Sequence, residues 1–506
     1  MKKHIIKLTF IALAIFASSC DSYLDVNKDP NVLGDTDAPE ILLPSAQVQI
    51  GNNLMGWDLG FGGAYWSEYW TQSYTASQFK TLCEYQETDF NAAYQGLTAG
   101  TLNDLKRIKT LSTDADNQGY YYIAEALSIY TWQIMTDLWG DIPYSEALKG
   151  DEDLKSPVFD SGSDIYADLL TRIDALLAID ATDLTIANSF DFIYQGDMEQ
   201  WTKFATSLKL KLMIRLSETS GYNNAELVTF ISNNSFLTSS AKIDGSYWSD
   251  DTEGKKHPMR EFSTGGANYL ATNVIGCKTF IDYLNTNNDP RIDALFTAPS
   301  GGHLGAFFGD FDSKKDSDLN GTKDEDEDYS EAIFTADMDL MIMSDWEVAF
   351  YIAEVYARAN DVANAKMYYD MGVQASLAQN SITNNDIITT GYAQWVNGTV
   401  EENIKEISMQ KWVANANYQH IESFLERNRT KYPAVSEIDV KADRNFAYLN
   451  FPVGDFTVSV NGRAKTNGNL PASPVYPSAV LNRNENAPSQ KVDLLEKVWW
   501  NQKIGK

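Results

Sequence analysis

The segment from Asp345 to Gln379 constrains the fold of this 506-residue chain most strongly, because it reads as two amphipathic helices separated by one residue. From Trp346 its sequence is WEVAFYIAEVYARANDVANAKMYYDMGVQASLAQ. Small alanines recur where two helices would cross closely, and tyrosines and methionines would fill the space around them. The spacing predicts helices over Asp345–Ala359 and Asp361–Gln379, joined at Asn360.

Further amphipathic helices are predicted from apolar residues at helical spacing. They span Asn117–Leu138, Ser163–Ile179 and Glu199–Ser217, and Glu401–Arg429 closes the helical part. The helix over Glu199–Ser217 is expected to carry an exposed basic face. That face consists of Lys203, Lys209, Lys211 and Arg215.

Long stretches without helical spacing separate these helices. The predicted fold class is therefore mainly α, a helical scaffold with long irregular loop insertions and little strand. The scaffold is expected over about 90–220 and 345–430, and the insertions over about 50–90, 220–344 and 439–506, within one domain from 20 to 506. Loops of this length inside a compact protein usually carry function.

The N-terminus predicts where the protein is found. Three lysines, a short apolar stretch over Leu8–Phe16 and the small residues Ala17–Ser19 stand directly before Cys20. The apolar stretch is too short to span a bilayer. The pattern predicts a lipoprotein signal peptide over 1–19 and lipidation of Cys20, and the alternative is an ordinary secretory signal with an incidental cysteine. One acyl chain binds a membrane only marginally, so a multiply acylated cysteine is expected.

Charge and cysteine content limit the function further. The formal charge is −30, or −33 once the three lysines of the signal are removed, and such a surface repels nucleic acid. No later apolar run is long enough to form a membrane span. After Cys20 only Cys83 and Cys277 remain. They could form a disulfide, but the sequence favours two separate buried thiols.

Several motifs along the chain match a single family. YLDVNKDPN follows Cys20 at 23–31, DLWGDIPYSEA occupies 137–147, and GDMEQWTKFATSLKLKLMIRLS occupies 196–217. QKW at 410–412, the run from Glu422 to Pro433 and NDPR at 288–291 complete the match, although Lys431 stands where the family often has glycine. By these motifs the chain resembles the SusD/RagB family of nutrient-binding outer-membrane lipoproteins of Bacteroidetes-type bacteria.

The resemblance implies a fold and a function. It implies a tetratricopeptide-like scaffold that docks on a SusC-like TonB-dependent outer-membrane barrel, and a lipid that anchors the protein at the cell surface. Loops opposite the scaffold would capture an oligosaccharide or, as the alternative within the family, a peptide. The motifs themselves are expected to be structural, with Arg427 and Arg429 pairing with Glu422, Glu426 or Asp141.

One insertion contains a calcium-loop pattern. Asp316, Asp318 and Asn320 would be ligands, Gly321 would form the sharp turn, and Glu327 would bind through both oxygens. The remaining ligands would be Thr322, through its carbonyl, and Asp324. The alternative is a solvated acidic loop, because chance matches occur in Asp-rich segments.

Candidate nutrient-binding residues are aromatic side chains in the loops. Aromatic faces stack on the apolar faces of sugar rings, and carboxylates and amides bind the hydroxyls. Trp66, Trp70 and Tyr74 recur at helical spacing, which favours a stripe facing the core. The sequence nevertheless predicts that either Trp66 or Trp70 contacts the ligand. The full candidate set is Trp57, Asp58, Trp66, Trp70, Tyr247 and Trp248.

Two other classes of function compete with nutrient binding. A glycoside hydrolase needs only two suitably spaced carboxylates, so the sequence does not exclude one. However, no metalloprotease, serine-hydrolase or phosphate-loop motif is present, and neither an enzyme nor an organic cofactor is predicted. A pure protein-interaction scaffold is the other alternative, because tetratricopeptide helices usually bind protein.

Overall fold

The computed structural model describes residues 38–114, 117–262, 270–312, 315–317, 319–325 and 328–505. The signal segment, Cys20 and the motif at 23–31 therefore lie outside the described residues. Eleven longer helices occur among the described residues and are labelled α1 to α11. They are α1 Pro39–Leu54, α2 Asn103–Leu111, α3 Gln118–Trp139, α4 Gly162–Leu177, α5 Met198–Arg215, α6 Asn224–Asn233, α7 Lys278–Thr286, α8 Asp345–Arg358, α9 Val362–Gln379, α10 Val400–Asn415 and α11 His420–Thr430.

The helices begin where the sequence supplies capping side chains. Ser161 accepts a hydrogen bond from the Asp164 amide at the start of α4, and Asp197 does the same for Glu199 and Gln200 in α5. Thr399 and Glu402 form a reciprocal capping box at α10. These local signals place the predicted helices within a few residues of their observed bounds.

The predicted hairpin over 345–379 is confirmed. Helices α8 and α9 pack along their whole length, and α8 also packs against α5 and α10. Gly372 lies at the close crossing, where an added Cβ would come within 2.8 Å of the Phe350 ring. Asn360 links the helices in a left-handed conformation, with φ of 62°. The segment over 401–429 differs from one continuous helix, because α10 and α11 are separated at Ala416–Gln419, where Asn417 has φ of 64°.

Strands are short and pair in twos, as the prediction of little strand requires. β1 Trp70–Thr71 pairs with β5 Ile275–Gly276, β2 Ile142–Pro143 with β3 Phe159–Asp160, and β4 Ala241–Ile243 with β6 Leu340–Met343. All three pairs are antiparallel. The first pair attaches the 220–344 insertion to the segment that follows α1, whereas the third pair joins two parts of the insertion to each other.

Short helical turns complete the fold. The α-helical turns are Gly62–Trp66, Lys80–Cys83, Asn91–Gln95, Pro258–Glu261, Leu270–Asn273, Ile292–Leu295, Asp386–Thr389, Arg444–Asn450 and Ser478–Arg483. Trp57–Phe61 and Gly96–Leu102 are π-helical, and Gly150–Glu152, Asn188–Phe190 and Gly245–Tyr247 are 3₁₀ turns. In the described part of the chain, no helix combines the length and apolarity that crossing a membrane would require.

A buried ion cluster joins α3, α5, α8, α10 and α11. Arg215 lies at its centre and donates to Asp137 at 2.9 Å, to Glu422 at 2.6 Å and to Glu426 at 2.5 Å. Other ion pairs of the cluster involve Glu347 and Glu354 of α8 and Lys411 of α10. The cluster consists of Asp137, Lys211, Arg215, Glu347, Glu354, Lys411, Glu422, Glu426 and Arg429.

This cluster corrects the prediction of an exposed basic face on α5. Lys211 and Arg215 are fully buried, because the helix is enclosed by α3 on one side and α8 on the other. Lys203 and Lys209 remain near the surface and pair with Glu199 and Asp174 respectively.

The late-helix motif pairs partly as expected. Arg429 pairs with Glu426 and also with Glu354 of α8. Arg427 instead donates to the Pro433 carbonyl oxygen at 3.4 Å. Asp141 accepts from the Gly162 amide at 2.8 Å, where it holds the start of α4. Residues of the motifs at 137–147, 196–217, 410–412 and 422–433 therefore meet in one buried ion cluster.

The two later cysteines are separate buried thiols. Cys83 and Cys277 are both free and both fully buried. Burial raises the pKa of each thiol well above its usual value. The sequence expectation of two unpaired thiols is confirmed.

Candidate functional site

Trp57 presents an exposed aromatic face. Its side chain is 41 % exposed, while its neighbours Leu59 and Phe61 in the same π-helical turn are buried. The turn follows α1 and rotates successive side chains to different sides. An indole so exposed beside a buried aromatic core can stack on a flat apolar ligand surface.

The Trp57 ring packs against three phenylalanine side chains. Phe79 lies directly against it, and the rings of Phe61 and Phe262 lie at 5.9 and 5.7 Å. Phe61 stacks on Phe79 at 4.6 Å and meets Trp70 edge-on at 5.5 Å, so the aromatic contacts continue into the core. We call Trp57, Phe61, Phe79 and Phe262 the aromatic platform. Packing on several sides fixes the indole before any ligand arrives.

Polar side chains precede the platform residue Phe79 along the chain. Thr75 and Ser77 are exposed, and Gln78 is half-buried. The Gln78 side chain accepts from Asn273 at 3.3 Å, and Asn273 in turn accepts from Gln72 at 2.6 Å. Hydroxyl and amide groups beside a rigid aromatic face are what a ligand with both apolar faces and hydroxyls needs.

Asp58 lies beside Trp57 but supports the scaffold. One carboxylate oxygen accepts from the Ala93 amide at 2.9 Å, at the start of the Asn91–Gln95 helix. Burial raises the pKa of this carboxyl, and the backbone hydrogen bonds partly offset the rise. Its position fixes the π-helical turn against the next helix.

Trp66 and Trp70 lie in the core. Trp66 is 2 % exposed and donates to the Leu82 carbonyl oxygen, and Trp70 is fully buried and donates to the Asn417 side chain at 3.2 Å. They follow the core-facing stripe that their spacing favoured. Neither side chain is accessible to a ligand in this structure, which corrects the expectation that one of them makes contact.

Tyr247 and Trp248 form a separate aromatic group. Trp248 is only 6 % exposed and packs against Tyr247 at 4.9 Å and His257 at 5.5 Å. Tyr247 is half-buried, against Phe192 at 4.6 Å. Among the described residues no ring contact joins this group to Trp57. The chain instead continues from it to Phe262, which does reach the platform.

Sequence reasoning missed Phe79 and Phe262 as platform residues. Each is a lone aromatic in a polar stretch, and neither shows periodicity. Only the fold brings segments 57–61, 79 and 262 together, so Trp57 and its adjacent glycine were the only local signal.

The predicted calcium loop is described in part, and calcium remains a prediction. Asp316 accepts from the Gly321 amide at 2.8 Å, and Gly321 has φ of 89°, the left-handed conformation expected at a sharp turn. Asn320 accepts from the Thr322 amide at 2.7 Å. Asp318 and Glu327 lie outside the described residues.

Other features of this loop bear on metal binding. Asp324 is buried and accepts from the Ser317 amide and the Tyr329 hydroxyl. The second oxygen of Asp316, Oδ1, is buried without a hydrogen-bond partner in the part of the loop that is described. Within the described ranges, no three His, Cys, Asp or Glu residues are grouped so that they could hold a metal.

Comparison with known families shows to which protein family the chain belongs. A family profile described as "Starch-binding associating with outer membrane" (SusD-like) matches residues 34–449. This chain belongs to the SusD-like family. The match covers both the helical scaffold and the segments that carry the aromatic platform.

Solved SusD-like structures share the fold over nearly the whole chain. A SusD homologue from Bacteroides uniformis has 20 % sequence identity and a TM-score of 0.69, covering 91 % of this chain and 99 % of its own. A chitin-binding SusD homologue from Flavobacterium johnsoniae has 18 % identity and a TM-score of 0.70, covering 92 % and 99 %. A further homologue from Bacteroides ovatus has 19 % identity and a TM-score of 0.68, covering 92 % and 99 %. The comparison with curated proteins gave no match.

Proposed function

We propose that this protein captures an oligosaccharide at the cell surface and passes it to a SusC-like TonB-dependent transporter in the outer membrane. It acts by binding, without chemical conversion of the glycan. A lipid on Cys20 holds it at the membrane. The family description and the chitin-binding relative support a glycan as the ligand.

The observation that carries the proposal is the Trp57 face. It is exposed and rigidly packed on Phe61, Phe79 and Phe262, and the polar residues Thr75 and Gln78 precede Phe79 along the chain. One indole face matches the apolar face of one pyranose ring, and polar side chains can bind its hydroxyls. The fixed geometry lowers the entropy that binding must overcome.

The test is a glycan array and a peptide array, probed with the mature protein and with Trp57→Ala. We expect binding to a class of glycan, no reaction products, and a loss of affinity of about tenfold in the variant, because one stacked ring loses its partner. Met367→Ala is the matched control, because Met367 is similarly exposed, at 46 %, but lies on α9. It should bind like the wild type.

Three results would contradict the proposal. Release of shortened glycans would indicate an enzyme, and equal affinity of Trp57→Ala and the wild type would exclude the platform as the binding face. Binding confined to the peptide array would replace the oligosaccharide with a peptide.

A further inference from the structure

Two segments of the protein surface contain no charged residue. Residues 387–400 and 445–454 include no Asp, Glu, Lys or Arg, although these residues make up 22 % of the chain. The first segment leads into α10, and the second contains most of the Arg444–Asn450 helix. Both segments are largely exposed, so a chain with a formal charge of −30 leaves two stretches of its surface uncharged.

Large apolar side chains are exposed on both segments. Leu449 is 72 % exposed and Val396 is 71 % exposed, and about half of Phe446 and of Val453 is exposed as well. The helix of the second segment buries the small Ala447 and leaves the larger Phe446 and Leu449 in solvent. Single exposed apolar side chains are ordinary, but a group of them marks an interaction surface.

The two segments lie against the same part of α10. The Val396 amide lies beside the Glu406 carboxyl and partly offsets the rise that burial causes in its pKa. Gly454 lies so close to Met409 that an added Cβ would come within 3.3 Å of the methionine methyl carbon. Glu406 and Met409 are three residues apart on α10 and are therefore neighbours on its surface. The exposed side chains of both segments thus belong to one region, and we call the two segments together the uncharged surface.

Charged side chains lie at the border of the uncharged surface. Lys405 is exposed on α10, and its ammonium counteracts the rise that burial causes in the pKa of Asp455. Glu401 directly follows the first segment, and Asp443 and Arg444 directly precede the second. An apolar centre without charges and a charged rim are typical of protein–protein interfaces.

Buried aromatic side chains fix both segments in place. Trp395 packs on Tyr369 of α9 at 5.1 Å, and the Tyr369 hydroxyl donates to the Ala393 carbonyl oxygen at 3.0 Å. In the second segment, Phe451 packs on Phe307 at 5.1 Å. The exposed apolar side chains are therefore held by ordered segments, which lowers the ordering cost of association.

Charge favours a different protein as the occupant of this surface. Helices that lie on membranes carry Lys or Arg beside their apolar residues. The second segment has neither, and Arg444, which precedes it, already pairs with Asp310 and Asp312. A surface with this negative charge also repels anionic lipid, and a second copy of the chain would bring the same charge to the contact. A partner protein with an uncharged apolar patch of its own meets neither obstacle.

We propose that the uncharged surface is where this protein docks on the SusC-like transporter, with Leu449 and Val396 at the centre of the contact. An apolar patch of the barrel covers these side chains, and the charged residues of the rim surround the contact. The inference rests on the proposed function, which requires this protein to contact the barrel.

The test measures how much SusC-like barrel co-purifies with the full-length protein from detergent-solubilised outer membranes of its own host. The barrel is identified and quantified by mass spectrometry. The wild type is compared with the double variant Leu449→Asp and Val396→Asp. The matched control is the double variant Met367→Asp and Met371→Asp, because both methionines are exposed apolar residues, at 46 % and 40 %, but lie on α9.

We expect the Leu449 and Val396 double variant to recover less barrel than the wild type by a factor of about ten or more, because charge at the centre of an apolar interface opposes association. The control should recover as much as the wild type. The melting temperature of each double variant should match that of the wild type, because all four side chains are already exposed. Trp57→Ala should retain the barrel while losing affinity for glycan.

The inference and the proposed function fail in distinguishable ways. If the wild type recovers the barrel and the Leu449 and Val396 double variant recovers as much, the docking surface is overturned and the transporter partnership stands. Equal losses in both double variants would also overturn this surface as the specific contact. If the wild type recovers no SusC-like barrel, both the surface and the partnership are overturned.

Two further measurements test the other occupants. Sedimentation of the mature protein without lipid shows whether it self-associates, and flotation with vesicles of phosphatidylethanolamine and phosphatidylglycerol shows whether it binds a membrane. A dimer, or vesicle binding, that the Leu449 and Val396 double variant loses would assign the surface to a second copy or to lipid and would overturn the inference.

Discussion

At the scale of single residues, Glu68 is a carboxyl in an environment that does not favour its charge. It is 1 % exposed, and one oxygen accepts from the Thr279 hydroxyl at 2.7 Å and from the Thr457 amide at 2.8 Å. The other oxygen has no hydrogen-bond partner within the described ranges. Burial, only partly offset by these hydrogen bonds, raises the pKa of Glu68 to about 8. Glu68 therefore joins the platform segment to the C-terminal segment as a neutral acid at pH 7.

Substitution of Glu68 by glutamine should remove a pH dependence of stability. The unfolded carboxyl ionises near its ordinary value of 4.5, but the folded protein holds the proton to about pH 8. The folded state thus binds more protons in this window, and the free energy of unfolding falls as pH rises. We expect Glu68→Gln to be more stable than the wild type by about 3 kcal/mol at pH 7 and equal to it below pH 4.5.

Urea unfolding at a series of pH values between 4 and 8 measures this difference. Parallel stability profiles for the two proteins would show that Glu68 ionises normally in the folded state. Glu84→Gln is the control, because it changes a carboxyl in the same part of the chain that is not buried, and its profile should follow the wild type.

At the scale of helices, α5 shows what could and could not be predicted from sequence. Apolar spacing and Asp197 placed the helix correctly. The same spacing led to the prediction that Lys211 and Arg215 are exposed. A helix enclosed on two sides can show the same apolar periodicity as a helix with one exposed face, so the pattern does not distinguish the two. Acids of α3, α8 and α11, which are distant in sequence, pair with those charges.

The candidate site shows the same limit. Trp57, Trp66 and Trp70 lie within fourteen residues of one another, and all are aromatic residues near glycines. Their separation into one exposed face and two core side chains depends on the π-helical turn and on Phe262, which arrives from the distant insertion. The local sequence pattern therefore identified the right segment but could not show which of its tryptophans is exposed.

Removal of Arg215 should be the most damaging change to the helical scaffold. Burial alone would raise the pKa of Glu422, but Arg215 and Lys211 outweigh it and lower that pKa to about 2. Arg215→Met would leave Asp137, Glu422 and Glu426 buried with too little positive charge, at a cost of about 3 to 5 kcal/mol. Denaturant unfolding of the variant measures this loss.

Lys203→Met on the same helix is the control. Lys203 pairs with Glu199, which is exposed, and such surface pairs contribute between about 0 and 1 kcal/mol. Equal losses of stability in the two variants would show that the buried ion cluster contributes no more than a surface pair.

At the scale of the whole molecule, the 220–344 insertion contacts the rest of the chain at several points along its length, including Arg291 with Gln410 and Leu295 with Asn417. β4 pairs with β6 immediately before α8, and β5 pairs with β1 next to the platform segment. Between β5 and β6 the described residues 315–317 and 319–325 form no helix or strand. A cation bound there would tie together the part of the insertion that faces the Arg444–Asn450 helix.

Calcium should therefore stabilise the whole protein, if the loop over 316–327 binds it. A ligand at roughly 100 times its Kd adds about 2.7 kcal/mol to the free energy of unfolding. We expect saturating calcium to raise Tm by a few degrees, because the ion binds only the folded loop. Differential scanning calorimetry with calcium and with a chelator measures the rise. Asp318→Ala should abolish it, whereas Asp251→Ala, which removes another exposed acid of the insertion, should retain it. An unchanged Tm in saturating calcium would leave this segment as a solvated acidic loop.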